Sequence, residues 1–306
     1  MTSVAQPYAA ADGLVRVYPA GEPDGTGLVW AHGGGFAGGD LDMAESDAVA
    51  RALAASGTTV VSVDYRLAPT PAAWAAAAGV PQHDGVHYPA ASDDLVAAWQ
   101  WTVANADDLG IRSLALGGTS AGGNLAAGAA LCLLHGARNG GTETLPDLVI
   151  LAYPTLHAVQ ATPSPDLRAA LDADPEADRF GPAAVLGMYE NYLGGPVVGA
   201  DVYAIPGLAS TAELEGFPRT YVINGDVDEL RVSGEAFAAS LAAAGVDVEV
   251  ELEPGTQHGH LNRPEAPAFA ASITRIRARL ATLADTTLTP TPAAHLSQSS
   301  PSIHGS

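Results

Sequence analysis

The chain has 306 residues, 47% of them hydrophobic and 15% charged. That mixture can bury a sizeable core, which excludes wholesale disorder. Its 13 basic residues, all Arg, face 34 acidic ones, and the formal net charge of −21 disfavours nucleic acid and anionic membrane as partners. In chain order, residues 14–18 read as a strand, with 27–31 as its neighbour across the Gly/Pro-rich turn 21–25. Residues 44–55 read as a helix, and 58–64 as a strand apolar on both faces, the parallel type. Residues 70–89 are an irregular insert rich in Pro, Ala and His. A helix over 92–104 takes Ser92 as its N-cap. A strand at 113–116 runs at once into a helix at 121–134, and 148–152 is a further strand. Residues 155–217 form a second insert with helical stretches at 164–171 and 182–192. Long insertions in compact domains serve as lids or pocket walls. Strands at 220–223 and 246–252 flank a helix at 234–244, and 268–283 is a closing helix. Residues 285–306, rich in Ser, Thr and Pro, predict a disordered tail. Strands separated by helices imply an α/β fold with a mostly parallel sheet covered on both faces.

The single cysteine, Cys132, excludes an internal disulfide framework and a multi-cysteine metal site, and reads as a small core residue. The first residues lack the basic and apolar regions of a signal peptide, and the longest apolar run is too short to span a bilayer. A soluble cytoplasmic protein is expected.

The chemistry concentrates where strands end. Gly118, Ser120 and Gly122 form G-x-S-x-G between a short apolar strand and a helix. This turn lifts a serine hydroxyl above the sheet edge, at the positive end of the helix dipole. A serine needs a base, and the base needs a carboxylate to orient it. The strand at 220–223 runs into Asp226 and Asp228, and the strand ending at Leu252 runs into His258 and His260. Acid and histidine thus fall at the carboxyl edge of the sheet, where α/β proteins place ligands. His32-Gly33-Gly34-Gly35-Phe36 follows a third strand. Its glycines expose backbone N–H groups that can meet an oxyanion together with the amide of Ala121, while His32 fixes the loop.

Five ordered motifs make the chain resemble the hormone-sensitive-lipase-like, bacterial family IV esterases of the α/β-hydrolase superfamily. They are His32–Phe36, Asp64-Tyr-Arg-Leu-Ala-Pro69, Gly118-Thr-Ser-Ala-Gly-Gly123, Asp228-Glu-Leu-Arg231 with Gly234-Glu-Ala-Phe237, and His258-Gly259. The resemblance covers residues 28–283. It implies Ser120 as nucleophile, His258 as general base and Asp228 as the orienting acid. The oxyanion hole maps to the amides of Gly34, Gly35 and Ala121. Phe36 and His260 are assigned to substrate contact. The sequence departs from the family in Glu229, where many relatives have Pro, and in His260, where they have Phe. Only 31 residues precede His32, so a reduced helical cap is expected, built over 155–217 with 70–88 as a second contributor. The domain organisation is one α/β-hydrolase domain over 1–284 and a tail over 285–306.

Rival readings attach to the same residues. Asp226 competes with Asp228, and His260 with His258. Gly33, Gly35 and Gly38 also match a dinucleotide-binding G-x-G-x-x-G with Asp64 as its downstream acid, a reading that leaves the serine turn unexplained. His83, Asp84 and His87 have a loose metal-like spacing but read as solvated loop residues. Arg66 reads as an ion-pair partner, and Trp99 with Trp101 as helix packing. The function expected is a serine carboxylesterase for short-chain esters that needs no metal or organic cofactor. Its partner is a small-molecule ester, and a homodimer is left open. The alternatives are hydrolysis of another acyl group (an amide, formamide, lactone or acetylated natural product), a lyase, or a non-catalytic ligand receptor.

Overall fold

The computed structural model describes residues 6–78 and 81–283. The expected tail at 285–306 lies outside them. The strands are β1 (Tyr8–Ala10), β2 (Val15–Tyr18), β3 (Thr26–Ala31), β4 (Thr59–Val63), β5 (Ser113–Thr119), β6 (Leu148–Ala152), β7 (Thr220–Gly225) and β8 (Val248–Glu253). They form one sheet in the order β1-β2-β4-β3-β5-β6-β7-β8. The pairings β1–β2 and β2–β4 are antiparallel, and the rest are parallel.

The helices are α1 (Asp47–Ala54), α2 (Ala72–Ala78), α3 (Ala90–Ala104), α4 (Ala121–Arg138), α5 (Pro165–Ala173), α6 (Pro182–Leu193), α7 (Thr211–Leu214), α8 (Arg231–Ala243) and α9 (Pro267–Ala281). Alternation along the central strands explains why both faces need cover. In β3, Leu28 and Trp30 pack with Val49 and Leu53 of α1 and Phe269 and Ile276 of α9. Val29 and Ala31 point the other way, into the cluster that holds Leu95 and Trp99 of α3, Leu125 of α4 and Phe237 of α8. Full burial of a Leu or Phe side chain is worth about 1.5–3 kcal/mol, so these two layers fix the sheet. Among the described residues no helix is long and apolar enough to cross a membrane.

Several local expectations are corrected. Strand β3 is not the neighbour of β2, because β4 lies between them. All six residues of β3 are buried, and it takes a parallel partner on each side, leaving β2 to pair with the outer edge of β4. Ser92 is not an N-cap. Helix α3 starts two residues earlier, after Pro89, and the Ser92 hydroxyl is bonded to that of Tyr192 at 2.8 Å. Cys132 is exposed rather than in the core, since α4 is apolar nearly all round and one side faces outward. The insert at 70–89 is not wholly irregular, because it contains α2. Trp99 is buried and Trp101 packs against the same cluster, as expected. Arg66 does form an ion pair, its guanidinium gripping both oxygens of Asp94.

Candidate active site

Strands β3, β5, β6, β7 and β8 are parallel, so their carboxyl ends share one edge. The loops that leave this edge carry every candidate group. At the end of β5 the chain reverses directly into α4, and Ser120 sits on the turn with φ of 51° and ψ of −117°. Positive φ is uncommon for a residue with a side chain and signals a backbone held by its surroundings. The Ser120 N–H donates to the carbonyl of Ala152, and its carbonyl accepts from Thr155 N–H. The flanking glycines are required by close approach. A Cβ on Gly122 would lie 2.3 Å from the carbonyl oxygens of Ala31 and His32, and one on Gly118 would lie 2.5 Å from that of Gly122.

His258 follows β8 and places Nε2 3.0 Å from Ser120 Oγ. Its Nδ1 lies 2.8 Å from Asp228 Oδ2. Asp228 is fully buried, and its other oxygen accepts the amide of Leu230 at 2.9 Å. The rival acid is elsewhere: Asp226 Oδ1 accepts the Thr256 amide and ties the two loops together. The imidazole is also held by rings. Phe180 packs on it at 4.5 Å between centroids, and Tyr153 meets it edge-on at 5.0 Å.

The glycine loop lies beside this line. His32 stacks on Tyr65 at 4.4 Å, and the Tyr65 hydroxyl donates to the His32 carbonyl. His32 Nδ1 is 2.7 Å from the Gly33 carbonyl oxygen, so this residue does brace the loop. Burial lowers its pKa and favours the neutral ring. Gly34 has φ of 116°, and a Cβ there would lie 2.1 Å from the Gly38 carbonyl oxygen. Among the described residues no acceptor meets the amides of Gly34, Gly35 or Ala121. Free N–H groups beside a serine at a helix N-terminus suit a developing negative charge.

The two residues assigned to substrate contact sit deep in the packing. Phe36 is fully buried and stacks on Tyr192 at 4.0 Å, because the loop turns its ring beneath α6. His260 is also buried. The chain folds back after Gly259, which brings its Nε2 to 2.9 Å from Ser272 Oγ of α9. Ser272 in turn donates to Glu253, which pairs with Arg275. Burial pushes the His260 pKa down to about 4.

Several residues at the site carried no sequence signal. Glu45 is a buried carboxylate whose Oε1 accepts the Gly33 amide and whose Oε2 accepts the Tyr153 hydroxyl, each at 2.8 Å. Glu229, the departure from Pro, accepts the Phe180 amide at 2.8 Å and so anchors the segment that covers His258. Burial raises its pKa, and the neighbouring Asp178 adds to the rise. An acid where proline was expected was the one hint available.

The dinucleotide reading fits the geometry poorly. Gly38 does not open a helix, since α1 begins only at Asp47, and the Gly33 amide is already taken by Glu45. The loose histidine cluster is bound to backbone instead. His83 Nε2 reaches the Ala37 carbonyl oxygen at 3.1 Å, and His87 Nδ1 that of Asn191 at 2.7 Å. Among the described residues no group of three or more His, Cys, Asp or Glu side chains could hold a metal ion.

Comparison with known proteins gives this arrangement a lineage. A family model described as the alpha/beta hydrolase fold matches residues 28–262. Over 278 residues the chain is 38% identical to carboxylesterase NlhH of Mycobacterium tuberculosis, covering 86% of this chain and 77% of that one. The chain belongs to the α/β-hydrolase family, in its hormone-sensitive-lipase-like carboxylesterase branch. This α/β-hydrolase is also 32% identical to ethyl acetate hydrolase of Pseudomonas putida, across 80% of this chain and 70% of that one. Among solved structures it is similar to brefeldin A esterase, described as a bacterial homologue of human hormone-sensitive lipase. The TM-score is 0.70 at 28% identity, over 91% of this chain and 76% of that one. The expected serine ester hydrolase and α/β-hydrolase fold both hold for this family member.

Proposed function

We propose that the chain hydrolyses short-chain carboxylic esters through a Ser120–His258–Asp228 triad and an acyl-enzyme. The observation that carries the reading is one line of contacts: Ser120 Oγ to His258 Nε2 at 3.0 Å, and His258 Nδ1 to Asp228 Oδ2 at 2.8 Å. The free amides of Gly34, Gly35 and Ala121 stand beside it. Ser120 attacks the ester carbonyl while its proton passes to Nε2. Buried Asp228 keeps the other proton on Nδ1 and stabilises the imidazolium. The carbonyl oxygen becomes an oxyanion and takes hydrogen bonds from the free amides, each worth about 3–4 kcal/mol in comparable sites. The imidazolium returns its proton to the departing alcohol oxygen. Water then loses a proton to Nε2 and attacks the acyl carbonyl, which frees Ser120 and the carboxylic acid. One α/β-hydrolase domain does this work, with the segments at 70–89 and 155–217 serving as its reduced cap.

The test is turnover of p-nitrophenyl butyrate by wild type and Ser120→Ala, with circular dichroism to check the fold. The expected result is activity in wild type and a loss of at least about 10³-fold in the folded variant. A serine-directed phosphonate should label wild type alone. Near-wild-type turnover in folded Ser120→Ala overturns the proposal.

A further inference from the structure

The described parts of the insert, residues 70–78 and 81–89, form a wall of the site. Thr70 Oγ1 and His83 Nε2 both reach the carbonyl oxygen of Ala37, at the end of the glycine loop, each at 3.1 Å. On its other flank His87 Nδ1 meets the carbonyl of Asn191 at 2.7 Å, and the Asn191 side-chain amide donates to the carbonyl of Pro69 at 2.9 Å. The segment therefore bridges the glycine loop and α6. Between these anchors α2 carries Trp74, which is half-buried. A Cβ built on Gly35 would lie 3.0 Å from Trp74 Cη2 and 3.3 Å from Met188 Sδ of α6. An indole from one insert and a thioether from the other thus meet over the Cα of Gly35, within the glycine loop.

The chemistry says which half of an ester meets this wall. The departing alcohol oxygen must come within hydrogen-bond reach of His258 Nε2 to collect its proton. The alcohol half therefore runs on the His258 side, where Phe180 packs against the imidazole. The oxyanion takes the loop amides, so the acyl half leaves by the remaining direction, away from the imidazole and past the rim of the glycine loop with its cover. We propose that Trp74, backed by Met188, is the specificity-determining residue that limits acyl-chain length. The inference rests on the esterase reading above. A pocket that excludes one methylene discriminates by about ten-fold or more, so a fixed indole at the loop can set a sharp cut-off.

The experiment measures kcat/KM of wild type, Trp74→Ala, Trp74→Leu and Met188→Ala on p-nitrophenyl acetate, butyrate, hexanoate and octanoate. A parallel series varies only the alcohol: ethyl, butyl and hexyl acetate. Thermal melting confirms the fold, and Trp74→Leu serves should Trp74→Ala not fold. The expected result is a rise of at least about ten-fold in the hexanoate-to-acetate ratio for the Trp74 variants and a smaller rise for Met188→Ala, with the alcohol series unchanged. An unchanged acyl ratio in folded variants overturns the inference and leaves the esterase reading standing. So does a change confined to the alcohol series. A wild type inert on every ester removes the esterase reading itself, and this inference with it.

Discussion

Replacement of Asp228 by Asn is expected to lower kcat by about 10⁴-fold without unfolding the protein. The side chains are nearly isosteric and the site is fully buried, so packing is preserved. The damage is in the hydrogen bonds. In wild type one carboxylate oxygen takes the Leu230 amide and the other faces His258 Nδ1. In the variant the amide oxygen stays with the Leu230 N–H, the only way to satisfy that buried donor. The NH2 group then faces Nδ1, which must act as acceptor. The ring proton moves to Nε2, and Nε2 can no longer receive the proton of Ser120. The negative charge that would stabilise the imidazolium is also gone. A 10⁴-fold loss corresponds to about 5 kcal/mol of transition-state stabilisation. The assay is kcat on p-nitrophenyl acetate at neutral pH, with Asp226→Asn as the control. Asp226 contacts Thr256 rather than the imidazole, so that variant should lose only a few-fold. If Asp228→Asn keeps activity within ten-fold of wild type, or Asp226→Asn loses as much, the assigned roles are wrong.

Gly34→Ala should cut kcat by about 10²–10³-fold with little change in KM. The added methyl meets the Gly38 carbonyl in a positive-φ backbone, and the loop must shift its donors; steady-state kinetics on a folded sample decides this. Glu45→Gln should cost about 1–3 kcal/mol of stability. The Gln oxygen can keep the Gly33 N–H, but its NH2 then faces the Tyr153 hydroxyl, which must turn from donor to acceptor, and both bonds lose their charge assistance; urea unfolding gives the value, and no loss would mean that this carboxylate is dispensable. The protein should also lose stability as pH falls. The His260 ring titrates near 4 in the folded chain against 6.5 when free, so between these values the unfolded chain holds a proton that the folded chain refuses. The window is worth about 3 kcal/mol. His260→Phe should flatten this part of the stability–pH curve, and an unchanged slope would locate the effect elsewhere.

The sequence made the chemistry readable because each catalytic element is a local event, a strand that ends in a distinctive short run. Ser120 between Gly118 and Gly122, and His32 before three glycines, are such runs. Choosing Asp228 over Asp226 needed the family register, since both sit on the same turn. What stayed hidden depends on contacts between distant segments. Glu45 lies 108 residues from Tyr153, the residue it binds, and nothing near it in the chain marks it. The burial of Phe36 and His260 follows from where α6 and α9 pack, which local pattern does not reveal. The order β2-β4-β3 escaped for a related reason: a short turn suggests a hairpin, but burial of β3 on both sides demands other partners.

Helix α6 has a consequence for how a ligand is received. Tyr189 and Tyr192 are sunk in the core, and their hydroxyls are tied to Asn124 of α4 and Ser92 of α3. Swinging this helix aside would strip two aromatic rings from their packing and break both ties. The stretch from Asp174 to Phe180 beside it is more exposed, yet Glu229 holds it at the Phe180 amide, Arg168 at Asp178 and Gln257 at Asp174. A wall whose rings are already seated has little freedom left to lose when a ligand arrives, so this side of the molecule meets its ligand as a standing shape.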